Sequence, residues 1–317
     1  EVKFYGNTAD LLARPDILRA VYVKGTGAAL TSGGVSALRS ERERRALELG
    51  EARAVLEVEG LVKRFGGITA VDGVSFALRE GEVLGIIGPN GSGKTTTFDL
   101  ISGFQVPDAG TVRYQGVDIT DLAPEERARR KLVRRFQDAR LFPSLTVFET
   151  LLVALDQRLE VKSALLSAAQ LPQARRAEKR VRLRAEKLIE LLELGAYRDK
   201  FVKELSTGLR RIVDLACVLA TEPQVLLLDE PSSGIAQAEA EGLAPLLRRV
   251  RFETGCSILI IEHDMPLISA VSDELIALDQ GRFVTRGRPA EVLEDERVVE
   301  SYLGTTEEAV NRSGSIG

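Results

Sequence analysis

The clearest chemistry in this sequence belongs to a glycine-rich segment that follows an apolar run typical of a strand, EVLGIIG. The segment fits the pattern GxxxxGK[ST] and contains Gly88, Pro89, Asn90, Gly91, Ser92, Gly93, Lys94, Thr95 and Thr96. Such glycines let backbone N–H groups and the start of the next helix point at phosphates. We expect Lys94 to reach the β- and γ-phosphates and the Thr95 hydroxyl to coordinate Mg²⁺. The segment predicts a nucleotide-binding loop, and a strand-to-helix turn without a ligand is the alternative.

Two adjacent carboxylates, Asp229 and Glu230, follow the apolar run VLLL. Phosphoryl transfer to water needs one group that holds the metal shell and another that orients or deprotonates the attacking water. We therefore expect Asp229 to hold Mg²⁺, through a water molecule, and Glu230 to act as the general base. A solvated acidic turn is the alternative.

His263 is the only histidine of the chain, and it follows the apolar run ILIIE. A lone histidine is often structural, but this one is expected at the same sheet edge as Lys94 and Asp229. From there it could bond the γ-phosphate and the attacking water, and so sense the terminal phosphate.

Two further residues are candidates for the same site. Gln137, in RRFQDARLF, could reach Mg²⁺ or the lytic water, and a solvated polar residue is the alternative. Phe65, in KRFGGITAV, lies ahead of the glycine-rich segment and could stack on adenine, with core packing as the competing interpretation.

The elements that must position these side chains are strands and helices in alternation. From Val55 onward, short β-branched runs alternate with longer helical stretches, which predicts an α/β fold with a mostly parallel sheet. Three nearly continuous apolar runs, expected to be buried strands, end in the candidate residues. Ligands of open α/β sheets bind outside the carboxyl ends of the strands. Between these strands, amphipathic patterns predict an inserted helical subdomain.

Composition narrows the class of protein. The chain has 317 residues, 44% of them hydrophobic, and a net charge of −4, which argues mildly against a nucleic-acid binder. Its two cysteines lack zinc or disulfide spacing and are expected to be small core residues of a reduced protein. No apolar run approaches the ~20 residues needed to span a bilayer, so any membrane role is expected to run through a partner. Two basic clusters, at 127–135 and 175–184, are interpreted as solvated helix faces rather than docking surfaces for phosphate head groups or nucleic acid.

The first residues resemble the last ones. Residues 6–23 and 287–303 share a glycine turn, an acidic residue, apolar pairs and a tyrosine, Tyr22 or Tyr302. Such self-similarity suggests tandem domains, and chance likeness between two amphipathic helices is the alternative. We expect residues 1–24 to be the end of an upstream copy of the same domain.

Taken in order, the glycine-rich segment, Gln137, ELSTG (204–208), VLLLDE and IEHD resemble the ABC ATPases. The match covers Val55 to about Leu303. ELSTG lies where that family has its LSGGQ signature, so the resemblance implies that Ser206 and Gly208 contact the γ-phosphate bound to an opposing domain. It implies a P-loop NTPase (RecA-like) fold with an antiparallel β portion, the ligands ATP and Mg²⁺, and a second ABC domain as partner, in a homo- or heterodimer.

Two departures from the family pattern bear on the dimer. Thr207 and Leu209 replace Gly and Gln of the signature, and Ala236 replaces the usual Asp or Asn after the base. We expect an asymmetric pair, in which this chain's Glu230 and His263 build the competent site and its own signature serves the partner's nucleotide less well.

Within the superfamily, the segments around FGGITAVDGVSF and LFPSLTVFETLLVA and the tail most resemble the ATP-binding subunits of branched-chain amino-acid importers. The resemblance implies a cytoplasmic subunit, peripheral on the inner face of the membrane, that drives a permease which we expect to dock on Leu141, Phe142 and Leu145. Alternatives are a lipid or lipopolysaccharide exporter, a soluble ABC ATPase acting on ribosomes or DNA, and a kinase. The predicted division is an upstream remnant (1–24), a polar linker (25–54), an ATP-binding core (55–137 and 223–281), a helical subdomain with the signature (138–222) and a tail (282–317).

Overall fold

The computed structural model describes residues 52–135, 141–156, 172–235 and 237–303. The predicted upstream remnant, nearly all of the linker, Gln137, Ala236 and the end of the tail lie outside these ranges. Predictions that concern them, and the domain boundaries as a whole, stay predictions.

The strands form two sheets. Their bounds are β1 Ala54–Phe65, β2 Ile68–Arg79, β3 Val83–Ile87, β4 Ala109–Tyr114, β5 Val117–Asp118, β6 Leu132–Arg135, β7 Val225–Asp229, β8 Ser257–Ile261, β9 Glu274–Asp279 and β10 Arg282–Gly287. The larger sheet has the order β10-β9-β3-β8-β7-β6, and all of its pairings are parallel except that of β10 with β9. The smaller sheet, β2-β1-β4-β5, is antiparallel. The α/β fold with a mostly parallel sheet and an antiparallel portion is therefore confirmed.

Strands β3, β7 and β8 are buried along their whole length. Their continuous apolar runs reflect this position, because helices or the second sheet cover both faces. One apolar cluster joins the inner faces of the two sheets, from Leu56 on β1 to Ile261 on β8. A second cluster joins the opposite face of the larger sheet to the helices.

The helices are α1 Lys94–Ser102, α2 Pro124–Arg129, α3 Val147–Asp156, α4 Pro172–Leu191, α5 Thr207–Leu219, α6 Gln237–Thr254, α7 Met265–Val271, α8 Pro289–Glu294 and α9 Glu296–Leu303. Helices α3, α4 and α5 pack together, through Leu151, Ile189 and Leu215 among others. This is the helical insert that the amphipathic patterns predict. No helix within the described ranges is long and apolar enough to cross a bilayer.

The first basic cluster forms the predicted solvated helix face only in part, because Arg129 and Arg130 are exposed whereas other members are not. Its residues divide between α2 and the edge strand β6. Arg127 and Arg135 are buried, and the side chain of Arg134 is 8% exposed. Arg127 donates to the carbonyls of Leu100 and Ile101, and the other two form buried ion pairs. Charge spacing alone could not show this, because it does not distinguish a helix from a buried edge strand.

Candidate functional site

Three parallel strands bring the predicted polar residues to one edge of the larger sheet. Gly88 follows β3, Asp229 is the last residue of β7, and His263 lies two residues beyond β8. Since β3, β8 and β7 are neighbours and run in the same direction, their carboxyl ends meet at this edge. The edge therefore gathers Lys94, Asp229, Glu230 and His263, as the sequence predicts.

The glycine-rich loop is shaped by close backbone contacts. A Cβ added to Gly93 would lie 2.3 Å from the carbonyl oxygen of Ala70, and one added to Gly88 would lie 2.2 Å from that of Leu278. Gly93 also has a φ of 92° and immediately precedes α1, so it turns the chain into the helix. The loop thus holds a fixed turn whose N–H groups lead into a helix N-terminus.

Lys94, the first residue of α1, folds back over this loop. Its Nζ donates to the carbonyl oxygens of Gly88, at 2.7 Å, and Pro89, at 2.9 Å. Burial lowers the pKa of its ammonium group, and the carboxylates of Glu230 and Asp229 oppose that change. The loop therefore carries a positive charge at its centre, close to both acidic residues.

Asp229 is buried beside a cation that sequence reasoning missed. Its Oδ2 lies 2.8 Å from Nη2 of Arg134, whose other terminal nitrogen bonds Asp99 of α1 and, at 3.2 Å, the hydroxyl of Ser102. Burial raises the pKa of Asp229, whereas the charge of Arg134 lowers it. Arg134 thus ties the end of β7 to the helix that follows the phosphate loop.

The other carboxylate oxygen of Asp229, Oδ1, is buried without a hydrogen-bond partner in the described part of the chain. Thr95, the residue after Lys94, is exposed. A buried anionic oxygen and a hydroxyl suit Mg²⁺, which takes few protein ligands beside phosphates. The described ranges hold no cluster of three or more His, Cys, Asp or Glu side chains able to form an all-protein metal site.

Glu230 and His263 form a pair. Nε2 of His263 lies 3.0 Å from Oε1 of Glu230, and both side chains remain partly accessible, at 40% and 26%. The backbone of Glu230 has a left-handed φ of 45° and donates its N–H to the carbonyl of Ile261. The pair therefore lies at the boundary between sheet edge and solvent, where water can reach a carboxylate that a ring nitrogen orients.

Glu262 is a second residue that sequence reasoning did not assign to the site. Its buried carboxylate accepts N–H groups from Ser232 at 2.7 Å, His263 at 2.8 Å and Asp264 at 3.1 Å. It joins the turn after Glu230 to the turn that carries His263. The signal available in the sequence was an acidic residue directly after a buried apolar run, a position that needs several partners.

Phe65 lies at the end of β1, in the hairpin that leads into β2. Its side chain is 46% exposed, and Nζ of Lys63 lies 5.6 Å from the ring centroid. Core packing, the competing interpretation, does not describe a ring with this exposure. Adenine stacking stays a prediction.

The signature residues lie on a different element from the phosphate loop. Ser206 caps α5, where its Oγ accepts the N–H of Leu209 at 3.2 Å, and Gly208 is buried in the first turn of that helix. Of the predicted docking residues, Phe142 is 58% exposed, whereas Leu141 packs against the core. Their roles toward another subunit stay predictions.

The sequence and the fold of this chain are similar to those of known proteins. The sequence model described as ABC transporter matches residues 71–233. The chain is 36% identical to the high-affinity branched-chain amino acid transport ATP-binding protein BraF of Pseudomonas aeruginosa, over 80% of this chain and 99% of that protein. It is 38% identical to LivG of Salmonella typhimurium, a protein of the same description, with the same coverage. The crystal structure of the ADP conformation of MJ1267, an ATP-binding cassette of an ABC transporter, matches with a TM-score of 0.68 and 34% identity, over 80% of this chain and all of that one.

Proposed function

Because this chain belongs to the ABC transporter ATP-binding family, we propose that it is the ATP-hydrolysing subunit of an importer for branched-chain amino acids or a similar small solute. Its activity as an ATP-binding and ATP-hydrolysing cassette follows from the family. The transported solute and the assignment of roles to residues are the proposal. One observation carries the roles: Lys94, Asp229 and the Glu230–His263 pair meet at one sheet edge.

ATP binding begins with the phosphate loop. Its N–H groups and the N-terminus of α1 face the phosphates, and the ammonium group of Lys94 exchanges its loop carbonyls for the β- and γ-phosphate oxygens. The exposed ring of Phe65 stacks on adenine. Thr95, Asp229 and Gln137 would hold Mg²⁺, which supplies charge neutralisation of the phosphates when it is bound.

Hydrolysis needs a water oxygen to attack the γ-phosphorus while the bond from that phosphorus to the leaving oxygen of ADP breaks. Glu230 accepts a proton from the attacking water, and His263, 3.0 Å away, orients the carboxylate and bonds the γ-phosphate. Lys94 stabilises the negative charge of the phosphoryl group. The products are ADP and inorganic phosphate.

The transport step requires other subunits. Two ABC domains close over ATP. Ser206 and Gly208 of this chain complete the site of the partner domain, and the partner's signature completes the site of this chain, with an asymmetry that Thr207 and Leu209 introduce. Loss of the γ-phosphate lets the domains open, and the motion passes to a permease on the inner face of the membrane through the exposed Phe142. This chain is peripheral to the membrane and binds it through the permease.

Reconstitution tests the proposal. The chain, copurified with its permease and second ATP-binding subunit, is placed in liposomes with the cognate binding protein, and uptake of leucine, isoleucine and valine is measured. ATP-dependent uptake that E230Q abolishes is the expected result. Extraction of lipid from the liposomes would overturn the proposal in favour of a lipid exporter. ATPase activity that responds to ribosomes or DNA and not to a permease would overturn it in favour of a soluble ABC ATPase.

A further inference from the structure

The last two helices of the described chain are packed onto the larger sheet. Val292 of α8 and Val298 of α9 are 1% and 2% exposed and belong to the same apolar cluster as Leu275 of β9. Between the helices, Asp295 accepts the N–H of Arg297 at 3.0 Å and pairs with its guanidinium at 2.7 Å. Helix α9 is therefore held at a defined place on the fold.

That place brings the end of α9 to the phosphate loop. The N–H of Gly88, the first glycine of the loop, donates to the hydroxyl oxygen of Tyr302 at 2.6 Å, across 214 residues of sequence. The Tyr302 ring is partly buried against the apolar cluster. No step of the proposed mechanism uses this contact.

Both polar groups of Gly88 are engaged. While its N–H bonds Tyr302, its carbonyl oxygen accepts Nζ of Lys94 at 2.7 Å. The two peptide planes that meet at the Gly88 Cα are thus fixed, one by the tail helix and the other by the lysine that binds phosphate. The close approach of the Leu278 carbonyl and the Ser92 hydroxyl to Gly88 leaves little room for another arrangement of the loop.

We propose that Tyr302 is a positioning residue for the phosphate loop, through which docking of helix α9 and nucleotide binding strengthen each other. The hydroxyl holds the loop in the shape that receives phosphates, so loss of the contact weakens binding. Coupling between two equilibria is reciprocal, and bound nucleotide therefore stabilises the docked helix. The inference rests on the proposed role of the loop in nucleotide binding.

The test compares two tyrosines that differ in what their hydroxyls hold. Y302F removes the hydroxyl beside Gly88, whereas Y114F removes a buried hydroxyl that donates to Oε1 of Gln224 at 2.8 Å, away from the site. We expect Y302F to weaken binding of a fluorescent ATP analogue by about three- to tenfold, the effect of one hydrogen bond. KM for ATP should rise with kcat nearly unchanged, since Glu230 and His263 are untouched. Y114F should leave the dissociation constant within about twofold of the unsubstituted chain.

Hydrogen exchange tests the reciprocal effect. ADP should slow exchange of the backbone amides of 296–303 in the unsubstituted chain and in Y114F, and do so much less in Y302F. If Y302F folds poorly, a second pair of variants tests the same coupling. V298A loosens the packing of α9 on the fold and should weaken nucleotide binding. V250A alters an equally buried valine of α6 and should not weaken it.

The inference would be overturned if Y302F and Y114F bound the nucleotide equally well. It would also be overturned if ADP left the hydrogen-exchange rates of the α9 amides unchanged in the unsubstituted chain. Failure of the unsubstituted chain to bind the analogue would instead overturn the proposed role of the loop.

Discussion

The guanidinium of Arg134 and the carboxylate of Asp229 form a buried ion pair, 2.8 Å apart, in which the arginine is 8% and the aspartate 4% exposed. Removing one partner of such a pair leaves an uncompensated charge in the interior. We therefore expect R134M to lower the free energy of unfolding by about 3–5 kcal/mol, measured by urea denaturation. The loss should shrink at acidic pH, because without Arg134 the pKa of Asp229 rises further and protonation removes the buried charge.

The neighbouring Arg135 provides the matched control, since it forms a 2.8 Å pair with Asp214 in which the side chains are 3% and 16% exposed. Adding D229N should restore about half or more of the stability lost in R134M, because the buried charge is then gone. The same addition should not help R135M. Restoration of both variants, or of neither, would show that the Arg134–Asp229 pair is not the cause.

The E230Q substitution tests the general base. Glutamine keeps the size of the side chain but cannot accept the proton, so we expect kcat for ATP to fall by about 10²–10⁴ with KM changed little. Phosphate release is the measurement. E222Q is the control, because Glu222 shares a left-handed backbone, with φ 48°, but pairs with Lys131 and Arg184 instead. Retention of more than about a tenth of the activity by E230Q would contradict the assignment.

The E262Q substitution tests the link between the two turns of the site. The new NH₂ group must face at least one of the three N–H groups from which Glu262 now accepts hydrogen bonds, which costs about 1–3 kcal/mol of stability. We expect kcat to fall by about tenfold as Glu230 and His263 lose their alignment. E82Q alters another fully buried glutamate, which accepts from Arg79 and Arg286 away from this edge. It should lower stability and leave kcat unchanged, and an equal fall in kcat would contradict the prediction.

The cysteines should be inert in the native protein. Burial, with a contribution from Asp214, raises the pKa of Cys217 to about 12, and burial also raises that of Cys256. Because the thiolate is the reactive form, iodoacetamide at pH 8 should label native Cys217 more than about a thousandfold more slowly than an unfolded cysteine. The labelling rate should rise with pH up to the stability limit of the fold. Mass spectrometry measures the labelling, and rapid labelling of Cys217 at pH 8 would refute the predicted inertness.

The altered signature predicts asymmetry in the assembled dimer. If Thr207 and Leu209 weaken the site that this signature completes, then E230Q in this chain should reduce hydrolysis by a heterodimer far more than the matching change in its partner. Phosphate release by the two singly substituted heterodimers measures the difference. Equal losses would refute the asymmetry.

The sequence could predict Lys94, Asp229, Glu230 and His263 because each follows a buried strand of a parallel sheet. Continuous apolar runs identify such strands, and parallel order brings their ends together. No knowledge of distant contacts was needed, and the α/β class followed from the same runs, whereas the antiparallel portion was implied by the resemblance to ABC ATPases.

Arg134, Glu262 and Tyr302 escaped prediction because their roles depend on partners far away in sequence. The arginine lies in a run of basic residues that looks solvated until the strand is placed inside the sheet. Tyr302 contacts Gly88 across 214 residues of sequence, so the contact depends on the placement of the elements between them. Local sequence patterns indicate which residues form a helix or a strand. They do not indicate which distant residues those elements bring into contact.

The left-handed backbone of Glu230 has a consequence for how this protein can evolve. A non-glycine residue in that conformation costs about 1 kcal/mol or more, and glycine would relieve the cost. E230G should therefore be more stable than E230A while lacking the base. Glycine at this position relieves the backbone strain only by removing the base, so backbone free energy and turnover favour different residues here.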